Sequence, residues 1–294
     1  MLPNAGGLLI APLFVVLWST GFIGAKLGSP HAEPMTFLTW RFGLVVAGLA
    51  LWILLSRAAW PTWRQVRDAA IIGLMVQGVY LGGVFQAISW GTEAGVSALI
   101  VGLQPVLTAL IAARAMGERL TPVQIGGMLA GVAGVSLVVA RKLEAGIGDW
   151  WGVGLCVLSL VAISGGAVMQ KIRAAKTPML SGNLVQFTAA GLGCGLLATA
   201  FETRQVTWHP EFIFALGWLV VVLSLGAVTL YYILIRRGGA SDVASLFFLV
   251  PPATAIFAWV LFEETFGWLE MGGIALAALG VLMVNRPGLF RRGR

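Results

Sequence analysis

The stretch AGVSALIVGLQPVLTALIAARAMGERLTPVQIGGMLAGVAGVSLV, Ala94 to Val138, is written a second time as ASDVASLFFLVPPATAIFAWVLFEETFGWLEMGGIALAALGVLMV, Ala240 to Val284. A shift of 146 positions superimposes Pro105 on Pro251, Thr108 on Thr254, Ala112 on Ala258, Glu118 on Glu264, Gly126 and Gly127 on Gly272 and Gly273, and Gly134 on Gly280. Alanine, leucine and valine coincide by chance in apolar sequence. A proline, a glutamate and three glycines held in one register do not. Each copy reads as an apolar helix with a proline inside it, a glutamate at its end, and a second apolar helix with small residues spaced along it. The chain is therefore read as a tandem duplication.

Working outward, 59% of the 294 residues are hydrophobic and 11% are charged, too little polar surface to clothe a water-soluble globule. A helix of about 20 apolar residues crosses roughly 30 Å of hydrocarbon. Ten such stretches fit, at 7–27, 35–55, 68–90, 94–113, 121–140, 149–170, 180–200, 212–235, 241–262 and 267–285. The expected fold class is thus an all-α integral membrane protein of ten transmembrane helices in an inverted 5+5 repeat. Five helices per copy is an odd number, so the second copy enters the membrane from the other side and pairs with the first about an axis in the membrane plane. At an offset of 145, Ser19/Ser164, Gly21/Gly166, Lys26/Lys171 and Phe42/Phe187 also coincide, which extends the duplication over nearly the whole chain. The expected units are 1–145 and 146–286, joined near Ala145 to Gly148, with a basic tail at 287–294. Such a repeat offers two related states of similar energy, one open to each face, which is the geometry of alternating access.

The isoelectric point near 10.1 would suit nucleic acid if the basic residues formed one patch. They follow the loops instead. Fourteen of the 19 basic residues fall on the side of the N-terminus, while the other side has Lys26, Arg141, Lys142 and Arg204, and Arg41 lies inside a span. That bias places both termini in the cytoplasm and excludes a nucleic-acid partner as its explanation. The first residues lack the basic leader of a secretory signal, so no cleavage is expected. Cys156 and Cys194 fall within spans and predict neither a disulfide nor a metal site.

Candidate substrate-binding residues are the polar and aromatic groups that interrupt apolar helices. Trp18 and Ser19 break the first helix, and Ser164 echoes Ser19 in the sixth. Gln77, Tyr80, Phe85, Gln86 and Trp90 mark the third, read as a polar stripe on one face, and Gln104 precedes Pro105 in the fourth. For the serines, helix packing competes evenly with a cavity role, and for the third helix a hydrogen-bonded seam does so. Arg41 is a candidate anion anchor or a snorkelling residue. Pro105, Pro251 and Pro252 are candidate hinges, since a mid-helix proline frees a carbonyl and bends the helix. The glycines of the fifth and tenth helices are expected to allow close packing. Glu118 and Glu264 are expected to act locally, on amides of the next helix or a loop cation. All twelve acidic residues lie at or near helix ends, and His31 and His209 lie in loops, so no mid-membrane proton relay is visible. No phosphate loop, nucleophile elbow or His/Cys metal cluster is visible either, and the chain is read as neither an enzyme nor a cofactor protein.

With Pro105, Thr108, Glu118, Gln124-Ile125-Gly126-Gly127 and Gly134, their second copy, Trp18-Ser19-Thr20-Gly21-Phe22, and Arg41 within Thr39-Trp40-Arg41-Phe42, the chain resembles the EamA-type carriers of the drug/metabolite transporter superfamily. The resemblance implies a ten-helix basket in a bacterial inner membrane, its fifth and tenth helices apart from a central cavity. It also implies export of amino acids, aromatic and other neutral ones, or of related small metabolites, with lipid as the surrounding partner. A monomer fits this plan. The acidic-residue pattern favours uncoupled, facilitative passage. The alternatives are a proton-coupled exporter of other metabolites or drugs and, further off, a lipid-modifying membrane enzyme or scaffold.

Overall fold

In the computed structural model, residues 5–116, 120–144, 149–227, 230, 249–265 and 267–285 are described. Glu118, Arg119, the expected joint at Ala145 to Gly148, Thr229, Tyr231, Tyr232 and the basic tail lie outside them. The helices are α1 (Ala5–Gly28), α2 (Pro34–Ser56), α3 (Trp63–Ser89), α4 (Ala94–Val101 and Gln104–Met116), α5 (Pro122–Glu144), α6 (Trp150–Arg173), α7 (Met179–Phe201), α8 (Pro210–Ala227), α9 (Val250–Phe262) and α10 (Trp268–Asn285). Among the described residues seven helices are long and apolar enough to cross a bilayer, and three shorter apolar ones accompany them at Pro12–Gly28, Val250–Phe262 and Trp268–Val284. Leu54, Leu55, Leu196 and Val260 point outward and are exposed, as side chains do where lipid is the solvent.

The fifth and tenth helices lie against each other with their backbones in contact. A Cβ on Gly127 would meet the Gly280 carbonyl at 2.6 Å, and one on Gly273 would meet the Gly134 carbonyl at 2.7 Å. Gly134 in turn abuts Ala277, and Gly280 abuts Gly131. Each of these contacts is matched by its counterpart in the other copy, the signature of a two-fold relation. Gly127 near the start of α5 meets Gly280 near the end of α10, so the two equivalent helices run antiparallel and the repeat is inverted. The expectation of close packing at these glycines is met.

A second pair of equivalent features lies in α3 and α8. Both widen from α to π geometry, at Leu74–Val79 and at Leu219–Ala227, and the two starts are 145 positions apart. Equivalent hydroxyls repeat the relation. Ser19 Oγ donates to the Val15 carbonyl at 2.7 Å with the Val250 carbonyl at 3.3 Å, and Ser164 Oγ donates to the Gln104 carbonyl at 3.4 Å. Val250 is the counterpart of Gln104, so α1–α9 and α6–α4 are joined by one bond used twice.

Pro105 stands just after a break in its helix. The helical bond its missing N–H would make is lost, and α4 breaks at Gly102–Leu103, where Leu103 N donates to the Ile100 carbonyl at 3.1 Å in a tighter turn. Pro251 and Pro252 sit in the first turn of α9, where a missing N–H leaves no bond unmade, and Pro251 presses against Gly102.

Glu264 works at long range. Its oxygens accept from Ala94 N at 3.0 Å and Gly95 N at 3.1 Å, the buried amides that open α4, and Lys26 Nζ of α1 lies 2.5 Å away. The expectation of an amide cap plus a loop cation holds in kind, but the helix capped is α4, not the following α10. The physical reason is the inverted packing, which sets the end of α9 beside the start of α4. At the same end of the bundle Lys142 pairs with Glu93 at 2.9 Å. Glu202, after α7, accepts from Met35 N and Thr36 N at 2.7 Å each, while Glu33 accepts from Thr203 N at 2.7 Å. Two carboxylates thus cap each other's chain segments. Because the Thr203 hydroxyl and the Thr203 and Arg204 amides bond its charged form, Glu33 is held below its ordinary pKa of 4.5.

Two tests follow from this packing. Gly134→Leu should lower the melting temperature and folded yield in detergent, with an overpacking cost of about 1–3 kcal/mol. Gly126→Ala should be near neutral, because its Cβ would meet only the Met283 side chain, at 3.6 Å. For Glu33 the depressed pKa means that its contribution is present above pH 4.5 and is lost as pH falls through the lower folded-state value. The protection of the Thr203 and Arg204 amides against hydrogen exchange, taken relative to the intrinsic rate at each pH, should fall on acidification in the parent chain, and Glu33→Gln should remove that dependence.

Candidate functional site

A cavity of about 120 Å³, counted as space open to water centres, lies between α1, α2, α3, α4, α6, α7 and α8. Its position follows from the two π segments. Val76 and Gln77 come from the first, Leu223 and Ser224 from the second, and a widened turn redirects the side chains that follow it. Glycines set the spacing. Gly166 of α6 lies against Val76, and Gly73 of α3 lies against the backbone of Gln186 in α7, so a side chain at either would push these helices apart.

The wall is mostly apolar, with Trp18, Phe22, Phe85, Phe187, Ile72, Val84 and Leu223. Phe37 supports it from behind, 5.4 Å from the Phe85 ring and edge-on to it. The polar groups are few. Gln77, Tyr80 and Gln104 contribute from α3 and α4, and Gln186 Nε2 donates to Gln170 Oε1 at 3.1 Å across the α6–α7 contact.

Arg41 dominates the electrostatics. Its residue is 6% exposed, and its guanidinium donates from Nε and one terminal nitrogen to Ser224 Oγ at 3.2 and 3.1 Å. No carboxylate among the described residues stands within ion-pair distance of it, and none of the residues lining the cavity is acidic or histidine. A guanidinium has five N–H donors and the Ser224 hydroxyl meets two, so the charge is buried with donors to spare. Snorkelling is not what this side chain does.

The cavity brings together Trp18, Gln77, Tyr80, Phe85 and Gln104 of the candidate residues, together with Arg41. Ser19 and Ser164 are fully buried in the helix contacts described above and do not line it. Gln86 and Trp90 border a separate open pocket at the His31 end of the bundle, with Glu33, Met35 and Glu202. The reason lies in helix geometry, since six residues at about 100° each carry Gln86 some 240° around the helix from Tyr80 and about 9 Å along it. Phe22, Gln170, Gln186, Phe187 and Ser224 line the cavity without having been candidates. For Phe187 the signal was its coincidence with Phe42, while Gln170 and Gln186 are polar groups in apolar helices, the same signal that marked Gln77 and Gln104.

The sequence profile of the EamA-like transporter family fits twice, over residues 5–140 and 150–286. The chain belongs to that family. It is 25% identical to the uncharacterized inner membrane transporter YedA of Escherichia coli strain K12, over 96% of this chain and 92% of that one. It is 28% identical to a probable terminal-alkyne amino-acid exporter of Streptantibioticus cattleyicolor, over 95% and 93%. A chloroplastic WAT1-related protein of Arabidopsis thaliana is 25% identical over 95% of this chain and 69% of its own length. A solved crystal structure superimposes with a TM-score of 0.66 and 22% identity, covering 95% of this chain and 96% of that one, and shares the fold. The chain is thus a multi-pass membrane transporter of the EamA-like family.

Ser224 is the one described side chain that hydrogen-bonds Arg41, and its loss tests the geometry without any substrate. Ser224→Ala should destabilise the ligand-free protein by about 1–3 kcal/mol, the cost of an unmet buried donor. Ser224→Thr should retain most of the stability, both read by unfolding in detergent.

Proposed function

We propose that this EamA protein exports small carboxylate-bearing metabolites, amino acids with apolar or aromatic side chains foremost, from a bacterial cytoplasm across the inner membrane. The observation that carries the reading is Arg41, a buried cation in an aromatic cavity with spare donors and no acidic partner among the described residues. Such a group holds a carboxylate, while Trp18, Phe22 and Phe85 take the apolar body and Tyr80, Gln77 and Gln104 offer oxygens to an ammonium. The exporter name of the Streptantibioticus relative supports an amino-acid cargo. Our reading of the chain as most nearly resembling YddG, an aromatic amino acid exporter of the same superfamily, points the same way.

In this reading ten crossings form two inverted halves, 1–145 and 146–286, that rock about the cavity in alternating access. The break beside Pro105 and the start of α9 at Pro251 and Pro252 act as hinges, and the termini, with the basic tail 287–294, face the cytoplasm. Passage is uncoupled from protons, since no carboxylate or imidazole lines the cavity among the described residues.

Counterflow in proteoliposomes with a panel of amino acids, run with and without a pH gradient, tests this. Aromatic amino acids should exchange without the gradient, and a strict gradient requirement would replace the uncoupled reading with proton coupling. Arg41→Gln should lower exchange at least about tenfold at equal folded yield, the worth of a charge-assisted hydrogen bond. Undiminished exchange in that variant would remove the anion site from the cavity.

A further inference from the structure

His31, in the loop between α1 and α2, and His209 and Glu211, at the start of α8, meet at one end of the bundle although His31 and Glu211 are 180 positions apart. His31 Nε2 is 3.2 Å and His209 Nδ1 3.9 Å from the same Glu211 oxygen, and one ligand atom from each residue lies within 4.8 Å of the other two. The imidazole rings are stacked, with centroids 4.8 Å apart and planes 12° from parallel. Around a tetrahedral ion with bonds of about 2.0–2.1 Å, neighbouring ligand atoms are about 3.4 Å apart. The two separations bracket that value; the third lies within 4.8 Å, and coordination requires the stacked rings to turn so that their nitrogen lone pairs converge, His209 Nδ1 giving up its bond from Glu211 N.

The backbone holds this cluster in place. Thr207 N donates to the His31 carbonyl at 2.8 Å, Ala32 and Val206 form an antiparallel bridge, and His209 N donates to the Thr207 carbonyl at 2.7 Å. His209 is half exposed and Glu211 more so, which leaves a free coordination position open to water. Glu33 and Glu202 line the same pocket as His31 and add a negative field that attracts a cation. Two neutral imidazoles and one carboxylate are the ligands of zinc and its neighbours, whereas magnesium and calcium take oxygen sets.

We propose that His31, His209 and Glu211 form a site for a divalent transition-metal ion of the zinc kind, which ties the α1–α2 loop of the first repeat to the start of α8 in the second. In the topology proposed above this end faces outside, where the ion has direct access. The site is independent of the cargo proposed above and is tested by binding, not transport.

Tag-free protein in detergent is titrated with zinc chloride, free zinc being read by a competing chelating dye. One saturable zinc ion per chain is expected, with a rise in melting temperature that magnesium chloride does not reproduce. His209→Ala and Glu211→Gln should each weaken binding at least about tenfold and abolish the thermal shift, since even partners behind the ligands cost 10–100-fold. Both residues are exposed, and metal-free melting and elution like those of the parent chain confirm folding. Zinc binding unchanged in both variants, or no saturable binding below about 1 mM, would overturn the assignment.

Discussion

The backbone contact between α5 and α10 is the constraint on which the rest depends. Four glycines, Gly127, Gly134, Gly273 and Gly280, allow the two helices to touch main chain to main chain. Without a hydrophobic driving force between helices in lipid, close approach of this kind is what gives association its van der Waals energy. Since each contact occurs twice by symmetry, it fixes the inverted relation of the halves. That relation in turn brings the end of α9 to the start of α4, so Glu264 caps amides 170 positions away.

The same symmetry makes the cavity. Equivalent π turns in α3 and α8 redirect side chains inward from both halves, and equivalent serines join α1 to α9 and α6 to α4 behind them. The lining itself is not symmetric. Arg41 stands on α2, and Ser224, its partner, on α8. A binding site needs this departure, because a zwitterionic or anionic solute has different ends. The scaffold therefore carries the duplication, while the differences between the copies carry the chemistry.

Much of the candidate site was readable from residue type. Trp18, Gln77, Tyr80, Phe85, Gln104 and Arg41 stood out because polar or aromatic groups inside apolar helices need partners, and they do converge. Gln86 and Trp90 were grouped with them by counting along α3 without turning it, and the π segment had no signature in the sequence. Ser19 and Ser164 satisfied both a packing and a cavity reading, and only their measured bonds to Val250 and Gln104 separate the two. The pairing of His31 with His209 and Glu211 was invisible, because each is an ordinary loop or helix-start residue until the two loops meet.

The sequence by itself determined that this chain lies in a membrane, that it is a duplication, and that glycine-lined helices close the packing of each copy. Hydropathy, proline and glycine are local properties, and a repeat in one register survives in the residue order. The tertiary structure alone decided which polar groups face a common space and which helix each glutamate caps. Those outcomes depend on helix rotation and on contacts between segments more than a hundred positions apart, and neither is encoded in any short stretch of chain.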